Sequence, residues 1–304
     1  MWFRNLRIYR FTRDFDTPLE ELEAALGRGA FRPCTGYEPQ SIGWEPPLGG
    51  EGAPLVHAAN GCLMICARRE DKILPAAVVR EYLEERLVAI QAQEGRPPAG
   101  RRARQALREE IVHELLPKAF GRSTRLHAYL DPVRGWLVVD SPNARRAEEV
   151  LSLLREGLGS LPVRPVAVRD DPSAVMTAWL LGSADSGSFS AGDECELREP
   201  SGEGAVVRCR RQDLGADEIR GHLDAGKRVR RLAVSWAERL SCRIEEDLAV
   251  KQLRFSDVLV EEGAEAGGDD AAARFDADFA LMSLELRRFI PALLEAFGGE
   301  ADSD

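Results

Sequence analysis

The residues from Pro54 to Ala67 read PLVHAANGCLMICA and predict an antiparallel β-hairpin. Apolar residues fill both arms, which is typical of strands buried within a sheet. The Asn60-Gly61 pair between the arms provides the two positive φ angles of a tight two-residue turn. The hairpin therefore predicts antiparallel strand pairing at the start of the fold.

Strands and helices are mixed along the rest of the chain without a regular alternation. Apolar patterns predict strands over 2–11, 124–130, 136–140, 161–168, 194–198, 205–211, 229–235, 239–246 and 250–255. Helix signals predict helices over 19–26, 142–156, 172–181 and 216–225 and one near the C-terminus. Frequent Gly and Pro predict a loop over 31–51, and 261–270 is predicted to be an acidic linker. The mixture predicts an α+β fold with mixed or antiparallel sheets and flanking helices.

A helical hairpin is predicted between Pro75 and Pro117. Its first helix carries apolar residues at helical spacing, namely Val79, Leu83, Leu87 and Ile90. Gly95 and Pro97 end that helix, and a second helix follows over 101–116. Two helices bury little by themselves, so the hairpin is expected to project from a sheet or to pack on a partner. The predicted domains are a central α+β domain (1–74 with 118–165), a helical-hairpin tip (75–117) and a base α+β domain with the C-terminal helix (166–304).

Charges of opposite sign are segregated along the chain. The net charge is −10, yet residues 96–146 hold eleven basic and five acidic side chains. Residues 261–304 reverse this balance, with twelve acidic and three basic side chains. Such a chain offers a positive surface while it stays acidic overall.

Several classes of protein are disfavoured by the sequence. The chain contains no uncharged apolar run of about 18 residues, so no membrane-spanning helix is predicted. Arginines interrupt the N-terminal residues too early for a signal peptide, which favours a cytoplasmic location. The six cysteines are scattered without a Cys-x-x-Cys pair, so reduced thiols and no metal or other cofactor are predicted.

Catalytic motifs are incomplete in this chain. His113-Glu114 begins like a helical zinc motif, but Pro117 stands where the second histidine is required. Asp276 and Asp278 could hold a divalent ion for nuclease chemistry, which remains an alternative. The simpler interpretation is that these two carboxylates cap the N-terminus of the last helix. The chain is therefore predicted not to be an enzyme.

Basic clusters at the ends of predicted strands and helices are the remaining functional signal. They indicate a surface suited to phosphates, without a groove-reading motif. The predicted DNA-contacting residues are Arg68, Arg69, Lys72, Lys118, Phe120, Arg122, Arg210, Arg211, Lys227 and Arg228. A protein-interaction adaptor, in which these arginines form only salt bridges, is the second alternative.

The chain resembles the bacterial RdgC family of recombination-associated proteins along nearly its whole length. The similar segments are WFRNL (2–6), ICARRE (65–70), KILP (72–75), LLPKAF (115–120), LGSLPV (158–163), RQDL (211–214), RFDADF (274–279) and FGGE (297–300). The resemblance implies a horseshoe-shaped protomer and a ring-shaped homodimer with a positively charged hole. It also implies binding of duplex DNA without sequence preference, with single-stranded DNA as a second ligand. The resemblance further implies that the protein restrains RecA-promoted recombination and associates with the nucleoid.

The resemblance also places individual residues. It implies that the basic residues near the hole are Arg68, Lys72, Lys118, Arg122, Arg211 and Lys227. Phe120 lies in the matching LLPKAF segment and is expected to help the ring form, open or hold DNA. The Pro- and Gly-rich stretch at 95–100 departs from the Lys-rich hairpin tip expected for the family. The helical hairpin and the apolar last helix are expected to supply the contacts between protomers.

Overall fold

Two antiparallel sheets organise the chain. The computed structural model describes residues 1–50, 52–95, 100–200 and 204–301. The strands of the first sheet are β1 (Arg7–Phe11), β2 (Gln40–Glu45), β3 (Val56–Ala59), β4 (Cys62–Ile73), β5 (Phe120–Asp131), β6 (Trp136–Val139) and β7 (Val163–Pro165). The strands of the second sheet are β8 (Phe189–Arg198), β9 (Val206–Arg210), β10 (Arg228–Trp236), β11 (Leu240–Glu245) and β12 (Val250–Phe255).

Eight α-helices accompany these strands in the described residues. They are α1 (Leu19–Arg28), α2 (Ala76–Glu94), α3 (Arg101–Leu115), α4 (Ala144–Leu158), α5 (Pro172–Leu181), α6 (Asp217–Asp224), α7 (Asp257–Gly267) and α8 (Ala271–Ala296). A short 3₁₀ helix, Leu116–Lys118, follows α3 because Pro117 cannot continue the α-helical hydrogen bonding. The predicted α+β class, with antiparallel sheets and flanking helices, is confirmed.

The first sheet has the order β2-β4-β5-β6-β1-β7, and β3 pairs with the same edge of β4 as β2 does. The predicted hairpin is β3–β4, and its turn residue Asn60 has a φ of 50°. The second sheet has the order β12-β11-β10-β8-β9, so β9 is an edge strand. All named strand pairs are antiparallel. The Asn60-Gly61 turn predicted this orientation for the β3–β4 pair.

Both faces of the first sheet are covered near β6. One face carries Ile65 and Leu137 and packs against Leu26 of α1 and Leu151 of α4. We call it the α4 face. The opposite face packs against α8 and carries Met64, Tyr129 and Val138; we call it the α8 face. A strand whose two faces are both buried has no polar alternation, which is why the first half of β4, Cys62 to Ala67, is a continuous apolar run.

Helix α8 packs against both sheets and joins them in one core. The Phe279 ring lies 6.0 Å from Tyr129 of the first sheet, and the Phe289 ring lies 5.5 Å from Trp236 of the second. Phe289 is fully buried. The apolar face of this helix is therefore internal, and the expectation that it supplies contacts between protomers is wrong. Pro291 lies within the helix without ending it.

The last helix is anchored by two ion pairs, one near the start of its buried face and one near the middle. Arg287 donates from Nε to Asp131 Oδ2 at 2.6 Å, and Asp131 is only 1% exposed. The N-terminal ammonium group of Met1 pairs with Asp278. Removing one partner of a buried pair leaves an uncompensated charge, so these contacts fix the position of α8 on the first sheet.

Three local predictions are wrong. The predicted loop at 31–51 contains β2, which pairs with β4 from Gln40 to Glu45. The predicted acidic linker at 261–270 lies largely in α7, which packs Leu259 and Gly263 inward. The cap of α8 is Asp270, whose carboxylate accepts from Ala272 and Ala273, so Asp276 and Asp278 lie within the helix rather than at its start.

The helical hairpin forms as predicted from α2 and α3. Its two helices bury a small cluster of their own around Val79, Ile111 and Leu115. The Tyr37 ring stacks on His113 at 3.9 Å and connects the hairpin to the loop before β2. Of the predicted tip at 95–100, residues 96–99 lie outside the described part of the chain.

Candidate nucleic-acid interface

Strands β4 and β5 form a long two-stranded ribbon that leads from the core to the helical hairpin. They pair without interruption from Leu63↔Leu130 to Ile73↔Phe120. The first half is buried, whereas residues 120–125 of β5 are all exposed. We call the outer half, residues 68–73 of β4 and 120–125 of β5, the distal ribbon. Six of the ten predicted contact residues lie in it or, for Lys118, two residues before it.

Register divides these residues between two faces. Cross-strand partners share a face, and neighbours along a strand alternate. Arg68 and its partner Arg125 therefore lie on the α8 face together with Lys72. Arg69, Arg122 and Phe120 lie on the α4 face. The predicted cluster is thus two clusters back to back on one ribbon.

On the α8 face, Arg68 is held by three groups. Its guanidinium lies 4.3 Å over the Phe31 ring, and its Nη1 is 3.5 Å from a carboxylate oxygen of Glu45. Its Nε and Nη2 donate to Ser123 Oγ at 3.2 and 3.1 Å. Arg125 pairs with the same Glu45 and its pKa is raised by that hydrogen bond. Lys72 donates from Nζ to the Ala119 carbonyl at 3.2 Å. Glu45 thus pairs with two of these cations, and Glu70 lies on the same face between Arg68 and Lys72, so three cations stand against two carboxylates.

On the α4 face, Arg69 is occupied by carboxylates. It is 7% exposed and donates from Nη1 to Glu149 of α4 at 2.9 Å. Its Nε donates to Asp71, and this hydrogen bond is the main reason why the pKa of Asp71 is lowered. Gln40 accepts from the remaining nitrogen. Arg69 therefore holds the ribbon to α4, and each of its three nitrogens already donates to a protein oxygen.

Lys118, Phe120 and Arg122 form an accessible segment where the chain enters the distal ribbon. Phe120 is 84% exposed and lies opposite Ile73, which is 48% exposed. Lys118 ends the 3₁₀ helix and Arg122 lies two residues beyond Phe120; both are exposed. Cations next to an exposed aromatic ring are the residue types that hold phosphates and stack on bases.

The other predicted residues lie at two places on the second sheet. Arg210 ends β9 opposite Glu194, and Arg211 follows it with a φ of 52°. Arg228 begins β10 opposite Arg198 and lies 3.6 Å from Asp171, with Lys227 directly before it. Arg198 pairs with both Arg228 and Val206, and Arg210 lies four residues beyond Val206 on β9. The Arg210–Arg211 group is therefore about 13 Å along the strands from the Lys227–Arg228 group.

Six of the nine predicted cations have no carboxylate within salt-bridge distance in the described residues. Arg68, Arg69 and Arg228 are paired. The remaining six are Lys72, Lys118, Arg122, Arg210, Arg211 and Lys227. Each of these six is exposed or half-buried. An accessible cation without an ion pair remains available to an anionic ligand, even where a carboxylate lies opposite it on the next strand, as Asp71 does for Arg122.

Sequence reasoning found only part of a basic face on the second sheet, to which the predicted residue Arg210 belongs. Its centre is Glu245, which accepts from Lys251 at 2.6 Å and from Arg243 at 3.2 Å. Arg231 lies between Glu245 and Glu196, at 3.3 and 3.0 Å. Burial raises the pKa of Glu196, but the Arg208 hydrogen bond and the charge of Arg231 outweigh it and hold the pKa below its usual value. In the sequence, basic residues at alternate strand positions, such as Arg208 and Arg210, are the pattern from which the whole face could have been predicted.

The two candidate metal ligands on α8 do not converge. Two positions along a helix turn by about 200°. Asp276 lies 3.0 Å from Nε2 of His57, and Asp278 pairs with the N-terminus of Met1. No group of three or more His, Cys, Asp or Glu residues within the described ranges could hold a metal ion. Within the same ranges, no helix has the length and apolar character needed to cross a bilayer.

Comparison with known proteins extends along the whole chain. The matching family model carries the description "Putative exonuclease, RdgC" and covers residues 1–300. The Recombination-associated protein RdgC of Aeromonas hydrophila is 46% identical over 303 residues, which is 100% of both chains. The protein of the same name from Pseudomonas aeruginosa is 46% identical over 99% of this chain and 98% of its own. That from Halorhodospira halophila is 46% identical over 99% of each chain.

These matches confirm the resemblance that the LLPKAF, LGSLPV and RFDADF segments indicated. Identity at this level over complete chains carries the fold with it, and the family model leaves only the last four residues unmatched. The chain belongs to the RdgC family.

Proposed function

We propose that the protein binds duplex DNA without sequence preference and limits RecA-promoted recombination by occupying the DNA. The observation that carries the proposal is the set of six accessible, unpaired cations on the distal ribbon and the second sheet. A protein that neutralises phosphates releases condensed counterions, and this is the main source of non-specific affinity. Single-stranded DNA is a second ligand of the same chemistry.

The placement of the cations supports backbone binding over base readout. The six residues lie at strand ends, beside strands, and in a 3₁₀ turn, not along one helix that could enter a major groove. Phosphate contacts position a protein on DNA but carry no sequence information. The name of the relatives, recombination-associated protein, fits a role on DNA, and a nucleoid location within the cytoplasm follows from the proposal.

The proposed assembly is a ring-shaped homodimer of horseshoe-shaped protomers. Closed two-fold assembly is the commonest oligomer geometry. Because the apolar face of α8 is internal, the contacts must come from elsewhere. Phe120 and Ile73 are apolar, adjacent and exposed at the base of the helical hairpin, and they support a contact at that end. The division into central, tip and base domains remains part of this proposal.

The first test compares two charge-reversed variants. Lys118→Glu/Arg122→Glu changes two unpaired cations of the distal ribbon. Arg13→Glu/Arg155→Glu, which changes exposed arginines outside the predicted set, is the matched control with the same net charge. We expect the ribbon variant to lose about tenfold or more in duplex affinity and the salt slope of log K to fall by about 1.8, near 0.9 per phosphate contact. Fluorescence anisotropy of unrelated duplexes at several salt concentrations measures both. Equal losses in the two variants, or a flat salt response in the wild type, would rule the proposal out.

The proposed role excludes turnover of DNA, and this is tested separately. Circular and linear DNA are incubated with the wild-type chain and Mg²⁺ or Mn²⁺. We expect both substrates to remain intact. Cleavage that disappears in Asp276→Asn would establish the nuclease alternative, which the family description also names.

Strand exchange by RecA tests how recombination is limited. We expect the wild type to inhibit and Lys118→Glu/Arg122→Glu to inhibit only at concentrations raised by its loss of DNA affinity. Inhibition that survives undiminished in this variant would instead indicate direct contact with RecA. The adaptor alternative makes its own prediction, because Arg122→Glu/Lys227→Glu would then leave DNA retention unchanged.

A further inference from the structure

Two cysteines face each other across the edge of the second sheet. Cys195 in β8 is the register partner of Cys209 in β9. Their neighbours form the pairs Glu194↔Arg210 and Glu196↔Arg208. Because partners share a face and neighbours alternate, the two thiols point to the same side, opposite these charged pairs. Both pack against the core that contains α8.

The backbone geometry of this pair fits a disulfide without rearrangement. Directly opposed residues of antiparallel strands have Cα atoms about 4.5–5.5 Å apart. A disulfide requires about 4.4–6.8 Å between the same atoms. Strand pairing therefore already holds the two residues within bonding range.

The other four cysteines lack this arrangement. All six are free thiols in the structure. Cys62 lies opposite Ala59, Cys66 lies between Glu45 and His127, and Cys242 lies opposite Val234. Cys34 is half-buried in a loop, and its Sγ lies 3.5 Å from the Glu70 carbonyl. Within the described residues, only Cys195 and Cys209 are cross-strand partners.

The two thiols differ in access. Cys195 is 4% exposed, whereas Cys209 is half-buried on the edge strand, which pairs only with β8 among the described strands. Burial first, and then the neighbouring Cys209, raise the pKa of Cys195 to about 12, so Cys195 stays a thiol near neutral pH. An oxidant therefore meets Cys209 first, and Cys195 is placed to react second.

We propose that Cys195 and Cys209 form a reversible intramolecular disulfide when the protein meets a peroxide. In the first step, Cys209 Sγ attacks hydrogen peroxide, the O–O bond breaks, and a sulfenic acid and water form. In the second, Cys195 Sγ attacks Cys209 Sγ, the S–O bond breaks, and the hydroxyl leaves as water with the thiol proton. In total two thiols lose two electrons and two protons, and one peroxide becomes two waters. A thiol reductant reverses the reaction by exchange.

The disulfide would fix the edge strand to the sheet. Strand β9 carries Arg208 and Arg210 on its other face, so oxidation would also fix the positions of these two guanidinium groups. A covalent cross-link removes open states of the segment between the two cysteines. This consequence concerns the chain alone and does not depend on the proposed DNA binding.

The test treats the full-length chain with hydrogen peroxide and then blocks the remaining thiols. We expect the wild type and Cys34→Ser to lose two hydrogen atoms by intact-mass analysis, and a peptide map to join the segments that contain Cys195 and Cys209. Cys34→Ser is the matched control because it removes a half-buried thiol without a partner. Cys209→Ala is expected to form no intramolecular disulfide. Amide exchange in β9 should slow about tenfold on oxidation and recover with reductant.

Order of reaction gives a second readout. In Cys195→Ala, a sulfenic-acid probe should label Cys209, whereas in Cys209→Ala it should leave Cys195 unlabelled. The wild-type mass is informative even if a variant folds poorly. Six blocked thiols after peroxide treatment, a disulfide that persists in Cys209→Ala, or Cys209 recovered as sulfinic acid without a cross-link would each overturn the proposal.

Discussion

Helix α8 and the distal ribbon both carry phenylalanine and arginine, but they differ in whether these side chains are buried and paired or exposed and unpaired. Along α8, Phe279 and Phe289 are fully buried and Arg287 is paired with a buried carboxylate. On the distal ribbon, Phe120 is 84% exposed and Arg122 has no ion pair within the described residues. The aromatic residues and Arg287 of α8 stabilise the fold. Phe120 and Arg122 of the ribbon contribute little to it, which leaves these two side chains available for a partner.

The largest expected effect tests the α8 side of this comparison. Phe289→Ala removes a fully buried ring that packs against Trp236 and Phe189. We expect a loss of about 3–5 kcal/mol in the free energy of unfolding, because the lost transfer energy adds to that of the cavity left behind. Urea unfolding followed by tryptophan fluorescence measures it. The control is Leu284→Ala on the same helix, which is 46% exposed and should lose less than about 1 kcal/mol. Similar losses in both variants would contradict the placement of α8 between the sheets.

His127 lies where β5 passes from the core to the distal ribbon, and it should make stability depend on pH. Burial lowers its pKa to about 4, despite the hydrogen bond to the Pro47 carbonyl. The unfolded chain therefore takes up the proton first, so the stabilisation is complete above about pH 6.5 and is lost as the pH falls toward 4. Between pH 7 and 5 the loss is about 2 kcal/mol, at 1.36 kcal/mol for each pKa unit.

His127→Gln isolates this contribution because glutamine does not titrate. We expect its urea midpoint to change less between pH 7 and 5 than that of the wild type. Identical pH dependence in the two proteins would show that His127 is already accessible to protons in the folded chain.

Glu245 tests whether carboxylates reduce the DNA affinity of the cations on the second sheet, in contrast to the unpaired cations of the ribbon. It is 7% exposed and serves Arg231, Arg243 and Lys251. Glu245→Gln should cost about 1–3 kcal/mol of stability, since charge-assisted hydrogen bonds are lost while the cations remain partly in solvent. Under the proposed function, the freed cations should also raise duplex affinity. Glu156→Gln, an exposed change on α4, is the control for net charge. A gain of equal size in both variants would remove neutralisation as the explanation.

The sequence could predict the elements that have local signals. The Asn60-Gly61 turn set the β3–β4 register, and helical spacing from Val79 onward located α2. The alternation rule alone could not assign faces in the distal ribbon. Residues 120–125 are all exposed, so no apolar residue marks which side faces the core. Only the pairing with β4 separates Arg122 from Arg125.

Helix α7 was misread because its glycines serve packing. Gly and Ala among acidic residues are typical of a linker. In the structure, Gly263 and Gly267 face α8, where a Cβ on Gly267 would overlap the backbone of Arg274. The acidic residues lie on the opposite, exposed side. A helix that uses glycine for close packing and a flexible linker can have the same amino-acid composition. Only the contact with the partner helix distinguishes the two.

The smallest expected change in stability tests the ribbon side of the comparison. Phe120→Ser removes an aromatic ring that is 84% exposed, so its free energy of unfolding should stay within about 0.5 kcal/mol of the wild type. Val133→Ser, at the opposite end of β5 and 76% exposed, is the matched control. Under the proposed function, Phe120→Ser should weaken DNA binding or dimer formation, whereas Val133→Ser should change neither. Anisotropy and sedimentation measure the two effects. Since Lys118 and Arg122 remain in place, a loss would be due to the aromatic ring. If both variants lose several kcal/mol, the ribbon is part of the core after all. If both leave binding and assembly unchanged, exposure of Phe120 does not signal a partner, and the cations alone must account for the interface.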